Sequence, residues 1–188
     1  MRQSRSLIVA KSQQIVGELG VFVKRPHRAG EILCIVRGPV RARPSRYSFC
    51  IGQGRHIEPT TTPSQPDFGR FTNHSCDPTA FARVAKDTLG VPYVEVVARK
   101  DLLAGDEVTF DYASLEYDVT VSGMKCQCGK ASCRSIIHGF KDLPATIVRR
   151  YTIEGMIAQH LLVRQTDASG NKTASSARDS PSTSRPIP

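Results

Sequence analysis

The chain has 188 residues, of which 39% are hydrophobic and 23% are charged, and its formal net charge at pH 7 is +9. This length allows one domain with a substantial core. No apolar run approaches the ~20 residues of a membrane-spanning helix, so the composition argues against an integral membrane protein.

The positive charge is concentrated in the first third of the chain. Residues 1–60 contain 11 Lys and Arg against 3 Asp and Glu, whereas residues 61–165 contain 12 of each kind. Four of the basic residues lie close together in a stretch rich in Gly and Pro, where we expect them to be exposed: Arg37, Arg41, Arg43 and Arg46. The stretch is interpreted either as a solvated charge run or as a contact for nucleic acid through residues 37–55.

Short β-strands dominate the predicted secondary structure. Runs of β-branched and aromatic residues, separated by Gly, Pro and Asp, predict strands over residues 7–9, 21–23, 32–36, 47–51, 80–84, 93–98 and 107–110. A short helix is predicted over residues 68–73. A longer helix is predicted to begin with Pro144 at its first position and to continue through Leu161, with Gly155 weakening its middle. The predicted fold class is therefore mostly β with a few short helices.

Three of the six cysteines are crowded into one short segment. Cys126, Cys128 and Cys133 form a Cys-x-Cys-x4-Cys pattern with a glycine at the bend. This spacing suits a tetrahedral zinc ion, because thiolates are favoured zinc ligands and a tight turn directs several sulfurs at one centre. The first ten residues contain too few consecutive apolar side chains for a secretory signal, so we expect an intracellular, reducing compartment without disulfides. The alternative interpretation of the motif is three reduced thiols without a metal.

A structural zinc site needs a fourth ligand from elsewhere in the chain. Cys76 is the predicted ligand because it lies in a polar, turn-like segment, and His74 and His138 are the alternatives. Cys34 and Cys50 lie inside apolar strand patterns and are interpreted as small core residues.

Four short motifs follow one another along the chain. They are Leu-Gly-Val-Phe at residues 19–22, Arg-Phe-Thr-Asn-His-Ser-Cys-Asp-Pro at 70–78, Gly-Asp-Glu-Val-Thr-Phe-Asp-Tyr at 105–112, and the cysteine motif followed by Arg at 126–134. In this order they resemble the SET-domain protein-lysine methyltransferases that carry a post-SET zinc motif. The resemblance spans about residues 6–138.

The resemblance implies a SET-domain β-clip fold with a pseudoknot, a zinc-bound post-SET flap and a C-terminal helix. We expect the SET domain at residues 4–120, the post-SET zinc-binding segment at 121–140 and the C-terminal helix at 141–164. Residues 165–188 are expected to form a disordered tail, because their Ser-, Thr-, Ala-, Gly- and Pro-rich composition offers little apolar surface.

The activity that the resemblance implies is methyl transfer from S-adenosylmethionine to the ε-amine of lysine in a protein substrate, such as a histone tail. The methyl donor and zinc are the expected cofactors. The expected enzyme is a monomer, nuclear in a eukaryote and cytoplasmic in a bacterium. Free lysine has a pKa near 10.4, so its ammonium must lose a proton before it attacks, and a dry channel beside a sulfonium favours that loss. No dedicated base is required.

The family motifs also imply roles for individual residues. Tyr112 is expected to orient the amine and the methyl group, and Phe110 to leave room for a partly methylated lysine, which favours di- or trimethylation. Tyr47 lines the lysine channel or is an ordinary strand tyrosine. The expected cofactor-binding residues are Leu19, Gly20, Phe22, Asn73, His74 and Tyr112. The expected zinc ligands are Cys76, Cys126, Cys128 and Cys133.

The competing interpretation is a binding module that keeps the fold and the zinc but lacks catalysis. It would dock on chromatin or nucleic acid through the basic N-terminal third. Tyr112, Asn73 and His74 favour the enzyme, whereas Glu18 and Thr79 depart from the family motifs and favour the module. A zinc finger that reads DNA is excluded because the chain lacks a Cys-Cys-His-His pattern.

Overall fold

The computed structural model describes residues 6–60, 67–119 and 123–163, and the predicted tail lies outside these ranges. Within them the chain forms ten short strands, three 3₁₀ helices, the α-helix Ala145–Ile153 and a further helical stretch at residues 159–163. The predicted fold class, mostly β with a few short helices, is confirmed. Among the described helices, none has the length and apolar character that crossing a membrane would need.

The ten strands are short, and seven of them correspond to the predicted strands. The ten are β1 Leu7–Lys11, β2 Leu19–Val23, β3 Ile32–Val36, β4 Val40–Arg41, β5 Phe49–Gly52, β6 Arg55–Ile57, β7 Asn73–His74, β8 Ala80–Lys86, β9 Pro92–Ala98 and β10 Glu107–Phe110. The sequence does not predict β4, β6 or β7. The 3₁₀ helices are Phe68–Phe71, Tyr112–Ser114 and Phe140–Asp142, and the α-helix, α1, is Ala145–Ile153.

The described strands form three small sheets, which contribute the strand residues of the main hydrophobic cluster. Their orders are β1-β2-β10-β7, β3-β9-β8 and β4-β6-β5. In the first sheet β7 and β10 pair in parallel, with Asn73 opposite Thr109 and His74 opposite Phe110. This pairing places the second motif, at residues 70–78, beside the third, at residues 105–112.

Alternation along the strands explains which side chains form the core. Val21 and Val23 of β2 are buried in the main hydrophobic cluster. In β9, the central strand of its sheet, Val94 and Val96 are fully buried because their face of the sheet packs in the same cluster. Burial of such branched side chains contributes ~2 kcal/mol each to folding.

The predicted C-terminal helix is shorter than expected. α1 ends at Ile153, and Gly155 has a positive φ of 67°, a conformation that glycine adopts at little cost. Helical residues resume only at 159–163. Met156 and Leu161 are nevertheless buried, so the apolar spacing that predicted one long helix belongs to a broken segment packed on the core.

A 3₁₀ helix leads into the second motif, where the sequence predicts a helix over residues 68–73. It ends at Phe71, because residues 73 and 74 enter the sheet as β7. Asp67 caps its start by accepting a hydrogen bond at 2.9 Å from the backbone N–H of Gly69. Burial raises the pKa of Asp67 from 3.8 to about 6.

The burial of Asp67 predicts a specific pH dependence of stability. The folded protein holds the proton of this carboxyl more tightly than the unfolded chain does. The resulting contribution to the free energy of unfolding is fully present below pH ~4 and is lost as the pH rises through about 6. Asp67→Asn keeps the capping oxygen but cannot ionise. The variant is therefore expected to gain about 2–3 kcal/mol of unfolding free energy relative to wild type between pH 4.5 and 7.5, measured by urea denaturation. Equal pH slopes for the two proteins would contradict the assignment.

Candidate active site

A cavity of about 360 Å³ opens between the start of β2, the segment before β5, the second motif and the cysteine motif. Most of the expected catalytic and cofactor-binding residues lie on its wall: Leu19, Tyr47, Asn73, His74, Phe110 and Tyr112. The cavity therefore brings together expected site residues that are up to 93 positions apart in the sequence, from Leu19 to Tyr112.

Gly20 and Phe22, although expected to bind cofactor, are not among the residues that line this cavity. Gly20 lies against Glu107, so a Cβ atom at this position would collide with Glu107 Oε1 and approach Asn73 Nδ2. Phe22 is buried opposite Glu107 in the β2/β10 pair. Both residues therefore contact or pair with Glu107 of β10, and Leu19 is the residue of this motif that lines the cavity.

Tyr112 begins the 3₁₀ helix that follows β10, and Asp111 caps this helix through the backbone N–H of Ala113. The Tyr112 hydroxyl donates to the backbone oxygen of Thr72 at 3.3 Å. Its ring packs against Phe110, with ring centroids 4.9 Å apart. Burial raises the pKa of Tyr112 well above its ordinary value, so the hydroxyl stays neutral and its lone pairs remain available to a ligand.

His74 is a buried, neutral side chain that positions its neighbours. Its Nδ1 accepts a hydrogen bond at 3.3 Å from the backbone N–H of Tyr112, so Nε2 carries the proton and donates to Cys76 Sγ at 3.4 Å. Burial lowers the pKa of His74 to about 4. The imidazole thus joins the cavity wall to the cysteine cluster without belonging to the cluster.

Tyr47 lies at the mouth of the cavity and is not part of a strand, because β5 begins at Phe49. The Arg70 guanidinium stacks over its ring at 3.9 Å from the centroid. Arg46 binds Glu18 at 2.8 Å. Glu18, the departure from the family motif, is therefore held at the cavity mouth by an ion pair.

Glu107 holds the loop that follows β1 against the second motif. It is 6% exposed and accepts hydrogen bonds from Ser12 Oγ at 2.9 Å and from Asn73 Nδ2 at 3.0 Å. Asn73 Nδ2 also donates to the backbone oxygen of Leu19 at 2.9 Å. The carboxylate thereby fixes two of the cavity-lining segments.

Replacing Glu107 by Gln is expected to lower the unfolding free energy by about 1–3 kcal/mol, because the amide NH2 that replaces Oε2 cannot accept the hydrogen bonds that Oε2 receives from Ser12 Oγ at 3.2 Å and from the backbone N–H of Gln13 at 3.4 Å. Urea denaturation measures this loss, and calorimetric titration with S-adenosylmethionine, the cofactor that the motifs lead us to expect, measures the accompanying loss of affinity. Asp101→Asn, at the exposed pair with Arg28, is the matched control and is expected to leave both unchanged. A Glu107→Gln variant with wild-type stability would contradict the role assigned to this carboxylate.

Four of the six cysteines converge at one end of the cavity. The Sγ atoms of Cys76, Cys126, Cys128 and Cys133 all lie within 4.8 Å of one another. Backbone N–H groups of Arg134 and Ser135 donate to two of these sulfurs, at 3.4 Å each. Four converging thiols with N–H donors are the set that a tetrahedral Zn²⁺ requires, so the residues present fit the ion. The structure brings Cys76 into the set rather than His74 or His138.

The segment after the last cysteine is fastened to the core by a buried cluster. Arg134 binds the fully buried carboxylate of Asp111 at 2.8 Å, and the Tyr151 hydroxyl donates to the same carboxylate at 3.0 Å. Because Asp111 immediately precedes Tyr112, this cluster joins the cysteine motif, α1 and the cavity wall. No pattern in the sequence indicates this role for Tyr151, because its place depends on how α1 packs.

Two further residues of the site are absent from the sequence-based set. Arg70 stands inside the second motif, which could have indicated it. Glu116 lines the cavity and accepts a hydrogen bond from the backbone N–H of Cys50 at 2.7 Å.

The two cysteines predicted as core residues differ in the structure. Cys50 is half-buried and is not a core thiol, whereas Cys34 is buried in the core as predicted.

Comparison with known proteins agrees with this architecture. The model of the SET domain family matches residues 18–113. Histone-lysine N-methyltransferase ATX2 of Arabidopsis thaliana is 29% identical over 135 residues, which cover 63% of this chain and 12% of that protein. Histone-lysine N-methyltransferase TRX1 of Oryza sativa subsp. japonica is 29% identical over 150 residues, covering 71% and 14%. The chain thus spans a small part of these relatives.

A solved structure shares the fold. The crystal structure of KRYPTONITE in complex with mCHH DNA, an H3(1-15) peptide and SAH aligns with a TM-score of 0.55 and 26% identity. The alignment covers 73% of this chain and 31% of that one.

Proposed function

Because this chain belongs to the SET domain family, we propose that it transfers methyl groups from S-adenosylmethionine to the ε-amine of lysine in a protein substrate. The observation that carries the proposal is the β7/β10 pair, which sets Asn73 and His74 beside Phe110 and Tyr112 on the wall of one cavity. When bound, S-adenosylmethionine supplies a methyl group on a positively charged sulfur.

The chain's own residues would orient the amine and exclude water. The Tyr112 hydroxyl donates to Thr72, so its lone pairs are left to accept from the amine N–H or the methyl C–H groups. It cannot act as a base, because its raised pKa keeps it protonated and therefore unable to accept a proton at neutral pH. The aromatic rings of Phe110 and Phe49 stack at 5.6 Å beside it and provide dry walls. Desolvation there favours the neutral amine that attacks.

The remaining role assignments are part of the same proposal. Leu19, Asn73 and His74 would bind S-adenosylmethionine, and Tyr47 with Arg70 would border the lysine channel. Phe110 has no hydroxyl to hold a water or a partly methylated amine in one orientation, which supports di- or trimethylation. Zinc on the four cysteines would fix the segment that closes the cavity, since Cys126 itself lines the cavity.

We propose a chromatin protein, such as a histone tail, as the substrate. Support comes from the relatives named as histone-lysine N-methyltransferases and from the neighbour that holds an H3 peptide. Arg41 and Arg43 are exposed, which supports a contact with an acidic partner such as nucleic acid and not with the basic histone tail itself. Arg37 and Arg46 instead pair with Asp87 and Glu18, so a nucleic-acid contact through residues 37–55 stays a prediction.

The test is a radiolabelled methyl-transfer assay on core histones and on cell lysate, with the product lysine identified by mass spectrometry. The expected result is methyl-lysine in at least one substrate. Absence of transfer to every substrate, while calorimetry still detects S-adenosylmethionine binding, would refute the enzyme and favour the binding module. No contact among the described residues favours that module now, because Tyr112, Asn73 and His74 all line the cavity.

A further inference from the structure

We propose a second metal site, formed by Cys50, His56 and Glu116, that binds a divalent zinc ion. The Cys50 Sγ, one ring nitrogen of His56 and one carboxylate oxygen of Glu116 lie within 4.8 Å of one another. Thiolate, imidazole and carboxylate are the three ligand types that zinc takes in proteins. None of the three residues belongs to the four-cysteine cluster.

The backbone brings the three side chains together before any ion binds. Cys50 of β5 lies directly opposite His56 of β6, so both side chains project from the same face of the sheet. The backbone N–H of Cys50 donates to Glu116 Oε1 at 2.7 Å, which holds the carboxylate beside this pair. Glu116 is itself anchored, because its N–H donates to the backbone oxygen of Tyr112 at 2.9 Å.

One buried polar atom in this group makes no hydrogen bond to the described residues. The His56 side chain is 8% exposed, and its Nδ1 is buried without a hydrogen-bond partner among the described residues. A buried nitrogen left unpaired costs ~1–3 kcal/mol. An ion bound by Nδ1 would remove that cost, because the buried nitrogen would then have a partner.

The coordination that follows differs from that of the four-cysteine cluster. Three protein ligands leave one tetrahedral position for water or a substrate group, the arrangement of an open rather than a closed zinc site. Glu116 also lines the cavity. An ion held there would therefore place positive charge at the cavity wall and connect the β5/β6 hairpin to the segment that carries Tyr112.

Metal analysis of the purified full chain tests the site. Wild type is expected to bind about two zinc ions per chain, whereas Cys50→Ser and Glu116→Gln are each expected to bind about one. Glu116→Gln is the sharper variant, because its amide oxygen still accepts from the Cys50 N–H. Cys34→Ala removes a core thiol outside both groups and is the control expected to keep two.

Crystals of wild type grown with zinc give an independent readout. An anomalous peak at the zinc edge between Cys50, His56 and Glu116 is expected. One ion per wild-type chain, lost in Cys126→Ser, with no anomalous peak at the second group, would overturn the proposal. The inference does not depend on methyl transfer, so an inactive protein with two zinc ions would refute the proposed activity alone.

Discussion

Tyr112→Phe is expected to lower kcat for methyl transfer by about 100-fold, the usual cost of removing one hydrogen-bonding group that acts at the reacting atoms. The ring and its contacts with Phe110 and His74 remain, so the cavity keeps its shape. Only the hydrogen bond to Thr72 is lost from the folded protein, a loss of ~1 kcal/mol. Single-turnover kinetics with the substrate identified in the transfer assay measures the effect.

The control for this substitution is Tyr93→Phe, the same chemical change at a tyrosine that is not among the cavity-lining residues. It is expected to keep full activity. Binding of S-adenosylmethionine to Tyr112→Phe is expected to stay within about threefold of wild type, because an interaction that strengthens only in the transition state changes kcat and not the affinity for the ground state. Equal kcat for wild type and Tyr112→Phe would refute the assignment of Tyr112 while leaving the family membership intact.

Loss of the four-cysteine zinc site is expected to release residues 123–137 from the core. Cys128→Ala should lower the zinc content by about one ion per chain, expose this segment to protease and abolish most activity. Structural zinc contributes about 10 kcal/mol to the segments it folds. Burial raises the pKa of Cys76 to about 11, so protons compete with zinc for this thiol, and zinc is expected to be lost as the pH falls.

Two comparisons separate this effect from general unfolding. Cys34→Ala removes a buried thiol outside the cluster and should keep the zinc content and the protease resistance of the segment. Circular dichroism of Cys128→Ala should retain the signal of the β-sheets, because the main core lies elsewhere. A segment that stays protected after complete chelation of zinc would contradict the proposed role of the metal.

The local residue pattern predicts the strands that are rich in β-branched residues, but it does not predict the shortest strands. The β-branched runs at 32–36 and 107–110 predicted β3 and β10 with their observed bounds. β4 and β7 have two residues each, which is too few to show an alternating pattern of apolar and polar side chains. The break after α1 depends on the left-handed conformation of Gly155. The apolar spacing of the neighbouring residues predicts a continuous helix and does not indicate this conformation.

The site was predictable where a motif carried it and unpredictable where distant segments meet. The motifs led to Tyr112, to Asn73 and to the four-cysteine set, in which Cys76 is at least 50 residues from its partners. Glu116 and His56 approach each other only because a sheet hairpin packs on the segment after Tyr112. Contacts of that kind are set by tertiary packing, for which neither residue type nor spacing gives a signal.

The parallel pairing of β7 with β10 has a consequence for the rate of folding. Asn73 and Thr109 are 36 residues apart, and a two-residue strand offers little local stability until the rest of the sheet exists. Contacts between distant segments must first overcome the entropy of closing the intervening loop, which slows folding. The cavity wall is therefore expected to assemble late. In refolding experiments, binding of the methyl donor should return with the slowest phase, after most of the secondary structure has formed.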